Sequence, residues 1–378
     1  MKVHVTATGI GRFGKRSEGL VELLAEAGAE ALEGIGRKTI DGLIVGNMAA
    51  GSLGGEENLT ARLADRLGLD AAAGYRVEAA SASGAAAFHA GVAAIAGGTF
   101  DRVLVIAGEK MTSLPTDQVA AVLAHSLAPS EMQIGATMPA LAAIVAQVYL
   151  ERHGLGPEAM DAVSVAGRAA AARNPNAQFR TAVTSAEVAA SRPIALPLRL
   201  LHCSAISDGA AAVVLERGQG PATVLGLGQG RDALQVVDRS DLTSFRATRV
   251  AAQRAYEMAH LNRKEISFAE LHDAFAPFAL IDLEDIGVCG AGEASGWFSS
   301  GATAPSGRFP VNVSGGLLGR GHPVGASGLV QLAEVARQLR SESGPMQLTG
   351  PPSIGLAQSI GGLAAHNFIS ILGRKGDA

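Results

Sequence analysis

Short apolar strands recur between helices built of small residues, and this alternation limits what the chain can become more than any other feature. GLIVGN (Gly42 to Asn47), the segment Tyr75–Glu78 and RVLVIAGE (Arg102 to Glu109) are separated by helical patterns over Leu59–Leu67 and over SASGAAAFHAGVAAIAGG. Ahead of them come a strand and glycine-rich turn, VHVTATGIGRFG, and a helix from Glu18 to about Leu32. Strands apolar on both faces need helices over both faces. The expectation is therefore an α/β fold with a mainly parallel sheet. The loop AAGSLGGEEN is read as irregular.

From Met111 to about Pro197 the alternation breaks into an Ala- and Met-rich helical stretch with turns around Pro115, Pro129, Pro139, Pro157, Pro175 and Pro193. Long excursions from a sheet usually cap a site, so this stretch is read as an inserted helical domain. The sheet resumes at DGAAAVVLE (Asp208 to Glu216) and ATVLGLGQG (Ala222 to Gly230), and a second series begins with a helix from about Ser244 to Met258. The two series resemble each other. Ala82-Ser83-Gly84 and Ala326-Ser327-Gly328 each open a helix of small residues, and DGAAAVVLE and GGLAAHNFISIL each hold the last strand of a half. The chain thus reads as two similar halves, residues 1–218 and 219–378, with the insert at about 111–197 in the first. Its 378 residues suffice for two such bodies.

Composition removes several functions. A formal charge of −4 with no run of Lys or Arg leaves no footprint for nucleic acid. No apolar run reaches the length of a membrane span. Two distant cysteines, Cys203 and Cys289, make neither a disulfide framework nor a zinc site and suit a reducing cytoplasm. GIGRFG (Gly9 to Gly14) has dinucleotide-fingerprint spacing, but the strand that should end in an acidic residue ends in Gly46 and Asn47. Its glycines are read as a turn.

The chemistry concentrates in two histidine motifs, HDAF (His272 to Phe275) and GHP around His322, both in loops that open helices. Histidines so placed can act as acid, base or oxyanion donor. Together with VEAASASGAAAF, SDGAAAVVLE, NVSGGLLGRGHPVGASG, GATMPALAAIVAQVYLERHG and the terminal IGG loop, these motifs resemble the thiolases over essentially the whole chain. The sterol-carrier and archaeal type, which carries HDAF or HDCF, is the subgroup most similar.

The resemblance implies a five-layered αβαβα fold of two similar halves with a helical loop domain over the site, assembled as dimers or tetramers. It implies coenzyme A as substrate or product, no permanently bound cofactor or metal, and chemistry at the carbon α to a thioester. On the same basis His322 would activate the nucleophile, His272 would hold the thioester oxygen, and the Gly361-Gly362 loop would supply the second oxyanion hole. Met138 and Phe275 are the expected lining of the acyl or pantetheine pocket.

The departure is at residue 81, where the family's C-A-S-G reads S-A-S-G. The places of the second family cysteine hold Ser359 and Ala274, leaving Cys203 and Cys289 as core thiols. Three readings remain open: an acyltransferase with Ser81 as acyl acceptor, a retro-aldolase that needs no cysteine and works with a zinc-ribbon/OB-fold partner, or a non-catalytic acyl-CoA-binding scaffold. The aldolase relatives use tyrosines at the site, and Tyr75, Tyr149 and Tyr256 all lie outside the motifs.

Overall fold

A computed structural model describes residues 2–374. The first half runs β1 (Val3–Ile10), α1 (Leu20–Ala31), β2 (Gly42–Gly46), α2 (Ala50–Gly54), α3 (Leu59–Leu67), β3 (Ala73–Val77), α4 (Ser83–Ala96) and β4 (Arg102–Glu109). The insert follows as α5 (Thr116–Ala124), α6 (Pro129–Gln133), α7 (Met138–His153), α8 (Glu158–Ala171), α9 (Ser185–Ala190) and the hairpin β5 (Pro193–Ala195) and β6 (Leu198–Arg199), before β7 (Gly209–Arg217). The second half contains β8 (Thr223–Arg231), α10 (Arg246–Ala259), β9 (Phe268–Glu270), α11 (Ala276–Asp285), α12 (Ala294–Ser299), α13 (Gly316–Arg320), α14 (Ser327–Arg340), β10 (Ile354–Gly361) and β11 (His366–Gly373).

The strand order is β3-β2-β4-β7-β1-β8-β11-β10-β9. Its middle link is slight, a single register pair of His4 with Thr223. On either side the same arrangement recurs. β7 runs antiparallel between β1 and β4, and β2 runs parallel to both β4 and β3. In the other half β11 runs antiparallel between β8 and β10, and β9 is parallel to β10 and bridges Val311 in parallel. The sheet is therefore mixed rather than mainly parallel. The alternating βα units supply its parallel part, and in each half the last strand, β7 or β11, runs antiparallel between the first strand and the others.

Helices α4 and α14 pack against each other, α4 on β2 and β4 and α14 mainly on β10, while α1 and α3 cover strands of the first half and α10 covers β8 and β11. Small residues set these distances. Along β8, Gly226, Gly228 and Gly230 face the carbonyls of Ala255, Ala251 and Ala247, so closely that a methyl group would lie within about 2.1 Å of each oxygen. The period-2 glycines of the strand meet a period-4 alanine row on the helix. Gly9 does the same against Ala27 of α1, so GIGRFG begins inside β1 rather than being wholly a turn. The loop at 49–58 likewise contains the short helix α2.

Candidate active site

Ser81 lies two residues ahead of the first residue of α4 and is half-buried. The turn that presents it is held locally. Ala80 has φ +48, a left-handed conformation that costs an alanine energy. It is kept there because Ser83 Oγ donates to the Ala80 carbonyl (2.6 Å) and accepts from Ala79 N (3.0 Å), while Ala80 N donates to Glu78 Oε1 at 2.6 Å. The terminal glycines pack on the same turn. His366 Nε2 donates to the Ala79 carbonyl at 3.0 Å, and a methyl group on Gly361 would meet that oxygen at 2.7 Å. Gly362 follows with φ +63.

The two motif histidines meet edge to face, with ring centroids 5.1 Å apart and planes at 88°. His322 is anchored by Ser327 Oγ, 2.7 Å from its Nδ1. The Ser327 hydroxyl is itself directed to the Pro323 carbonyl at 3.1 Å, so Nδ1 carries the ring proton and Nε2 keeps a free lone pair. Burial, with Arg320 adding to it, pushes the His322 pKa down to about 3. His272 is pushed well below its ordinary value by burial, then by His322 and Arg320. Its backbone N donates to Gln358 Oε1 at 2.8 Å, and its buried Nδ1 has no protein partner. Both rings are neutral at physiological pH, as a base and an oxyanion donor require.

Other contacts tie these loops together. Asp273 Oδ1 accepts from Leu317 N at 2.6 Å, and Asn312 Oδ1 accepts from Leu271 N at 2.6 Å. Where α4 and α14 cross, Gly84 faces the Gly325 carbonyl and Leu329 N, so the segment carrying Ser81 lies against the one carrying His322.

The remaining expected residues have definite places. Met138 opens α7 and Phe275 caps α11 edge-on to Phe278 (5.3 Å); both are half-buried against the core shared by the insert and the second half. Ser359 is buried on β10 beside Gly328, its Oγ without a partner, and Ala274 is buried. Burial pushes the thiols of Cys203 and Cys289 up to about 12, and neither forms a disulfide. The Tyr149 hydroxyl donates to Glu284 and that of Tyr256 to the Ile286 carbonyl, while Tyr75 lies on the outer strand β3. Two surface hollows of about 770 and 580 Å³ contain none of Ser81, His272 and His322. The hydrogen-bonded chemistry, rather than hollow size, marks the site. Among the described residues no cluster of His, Cys, Asp and Glu could hold a metal ion, and no helix is long and apolar enough to cross a membrane.

Residues 3–196 match the family model "Thiolase, N-terminal domain" and residues 228–374 match "Thiolase C-terminal domain-like". The chain belongs to the thiolase family. It is 39% identical to the acetyl-CoA acetyltransferase of Methanothermobacter thermautotrophicus, over 93% of this chain and 94% of that one. It is 30% identical to the benzoylsuccinyl-CoA thiolase subunit BbsB of Thauera aromatica, over 96% and 95% of the two chains. Among solved structures, a chain of the Ltp2-ChsH2(DUF35) aldolase superposes with a TM-score of 0.85 at 26% identity, covering 99% of this chain and 98% of that one. The fold and the acyltransferase class thus agree with the resemblance read from the motifs.

Proposed function

We propose that this protein makes or cleaves a carbon–carbon bond α to a coenzyme A thioester, with CoA as substrate or product and no permanently bound cofactor. The observation that carries the reading is the neutral His272–His322 pair, whose tautomer is set at His322 by Ser327. In this reading His322 Nε2 is the base, His272 holds the thioester oxygen, and Ser81 accepts the acyl group. The backbone of the Gly361-Gly362 loop, packed on the Ser81 turn, forms the second oxyanion hole. Met138 and Phe275 line the acyl or pantetheine path. The halves divide near 218/219, with 111–197 as the loop domain over the site.

Ser81 sets the pace of this chemistry. A thiol starts near pKa ~8.5 and a hydroxyl several units higher, each unit being worth about 1.36 kcal/mol. Attack by serine thus depends on proton removal by His322 in the transition state. The test is intact-mass spectrometry after incubation with a panel of short acyl-CoA esters, on this protein and on Ser81→Cys. An acyl adduct on both supports Ser81 as nucleophile. No adduct on either overturns the reading.

A second reading, a retro-aldolase working with a zinc-ribbon/OB-fold partner, is favoured by the likeness to the Ltp2-ChsH2(DUF35) aldolase. An adduct on Ser81→Cys alone, with hydroxyacyl-CoA cleavage by the wild-type chain when the partner is present, would select it. Two free thiols suit a cytoplasmic setting. A homodimer is part of the proposal, because β3 ends the sheet with its residues exposed, Tyr75 at 48%. A second copy pairing along that edge would cover it, and light scattering on the wild type and on Tyr75→Arg reads the difference.

A further inference from the structure

Two residues before each motif histidine stands a fully buried charge. Glu270, at the end of β9, precedes His272, and Arg320, at the end of α13, precedes His322; both are 0% exposed. They meet through one hydroxyl. Arg320 Nη1 donates to Ser314 Oγ (2.7 Å), and Ser314 Oγ donates to Glu270 Oε2 (2.6 Å). Ser314 N reaches Glu270 Oε1 at 3.1 Å, and the guanidinium stands 3.7 Å from the carboxylate. The Arg320 guanidinium also lies 5.6 Å from the Phe13 ring centroid, while its Nε and Nη2 have no protein partner.

We propose that Glu270, Ser314 and Arg320 form a single positioning clamp that locks the two histidine-bearing segments against each other. The inference rests on the roles given above to His272 and His322. A buried ion pair gains little stability over well-packed apolar side chains, because desolvating two charges offsets their attraction. What it does supply is one admissible register. Ser314 has a single proton, so accepting from Arg320 while donating to Glu270 fixes the order of the three groups. Strand β9 and helix α13 are thereby set in one relative position, and the rings two residues on take theirs.

The clamp also brings a cation into the interior beside the pair, where Arg320 opposes protonation of either ring. Facing the rings and the guanidinium are Glu270 from β9, Asp273 from the HDAF loop and Glu334 from α14, all three with carboxyls raised by burial. Arg337 and Glu30 flank Glu334. Lysine could keep the charge but not the planar fork of arginine. Geometry and charge can thus be varied separately.

The test is carbon-13 NMR of ¹³Cε1-histidine-labelled protein as pH is varied, a readout that needs no enzymatic activity. The nine histidines of the chain are assigned by single substitution. Arg320→Met should raise the protonation midpoints of His272 and His322, with those of the buried His89 and His202 unmoved. Arg320→Lys should hold the midpoints and still displace the ring resonances of both. If Arg320→Met does not fold, Ser314→Ala carries the test, since it keeps both charges and removes the link. Joint displacement of the two resonances in that variant supports the clamp. Unchanged resonances of His272 and His322 in a folded Ser314→Ala or Arg320→Met protein overturn it. Absence of an acyl adduct in the mass experiment with these NMR shifts intact overturns the acyltransferase reading alone.

Discussion

Replacing Gly84 by alanine tests whether the two halves share one site through the crossing of α4 and α14. The added methyl carbon would lie 2.8 Å from Leu329 N, 2.9 Å from the Gly325 carbonyl and 3.0 Å from Leu329 Cβ. Two of the three neighbours are backbone, so no rotamer change relieves the contact, and the helices must separate by about half an ångström. Overpacking of this kind costs roughly 1–3 kcal/mol. Alanine returns up to about 1 kcal/mol of helix propensity, leaving a net loss centred on about 1 kcal/mol. Unfolding entropy of about 2.1 cal/mol/K per residue over 378 residues converts that loss into a fall in Tm of roughly 1 °C. The chemical effect is larger. Gly84 and Gly325 each lie three residues beyond Ser81 and His322, and a misplacement of 1 Å costs about a hundredfold in rate. Half of that displacement predicts acylation about tenfold slower when the substitution is made in Ser81→Cys protein and followed by time-resolved intact mass. Gly296, in α12, has nothing within 4 Å of where an added methyl would sit. Gly296→Ala is the control and should leave the acylation rate unchanged and raise Tm slightly, if at all. A Gly84→Ala protein that melts at or above its parent and is acylated within twofold of it refutes the packing argument.

Ser83→Ala should cost about 1–3 kcal/mol in chemical denaturation by leaving Ala79 N without its acceptor and Ala80 without its restraint; a stability within about 0.3 kcal/mol of wild type, the usual additivity error, contradicts it. Buried His89 accepts from Gln229 and donates to Ser370, and burial lowers its pKa to about 3. The unfolded chain takes up that proton near pH 6.5 and the folded chain does not, so stability is complete above about 6.5 and is lost as pH falls toward 3. His89→Gln should therefore flatten the fall of unfolding free energy between pH 6 and 4 by about 1.4 kcal/mol per pH unit, and equal slopes in urea titrations would count against it. Cys203 and Cys289, both raised to about 12 by burial, should react with iodoacetamide at pH 7.5 at least a hundredfold more slowly than the thiol of Ser81→Cys, because little thiolate is present; rapid labelling of the wild-type chain would show otherwise.

Local signals carried well from sequence to structure. The pattern over Leu59–Leu67 is a helix with those bounds, and the repeated Ala-Ser-Gly opens both α4 and α14, the helices that pack on each other where the halves meet. Strand direction was less legible because it is decided by partners far away. β1 pairs with β7 more than two hundred residues later, as the bond from Thr6 Oγ1 to the Val214 carbonyl shows, and nothing within either segment states that they run antiparallel. Alternation reports only the strands that helices join directly, which are the parallel ones.

The site divides along the same line. His272 and His322 stand out because histidine is rare and their neighbours are small. The groups that fix them do not, since Glu270 and Arg320 gain meaning only from a contact across fifty residues of chain, and Gln358 from one with the backbone of His272. A signal was nonetheless present: FAELHDAF and GLLGRGHPVG each place a charge two residues ahead of the histidine, inside a stretch otherwise largely fit for burial. A charge in such a place needs a partner or it destabilises the fold, and two such charges at the same offset from two motif histidines are each other's natural partner. The same reasoning applies to residue 81. On the proposed reading, a strained Ala80, a Ser83 committed to both sides of the turn and a His322 with its tautomer fixed would all act to aim whatever atom occupies that position. The exchange of sulfur for oxygen leaves this aiming in place and changes only the acidity of the group being aimed, so acidity is what the Ser81→Cys comparison isolates.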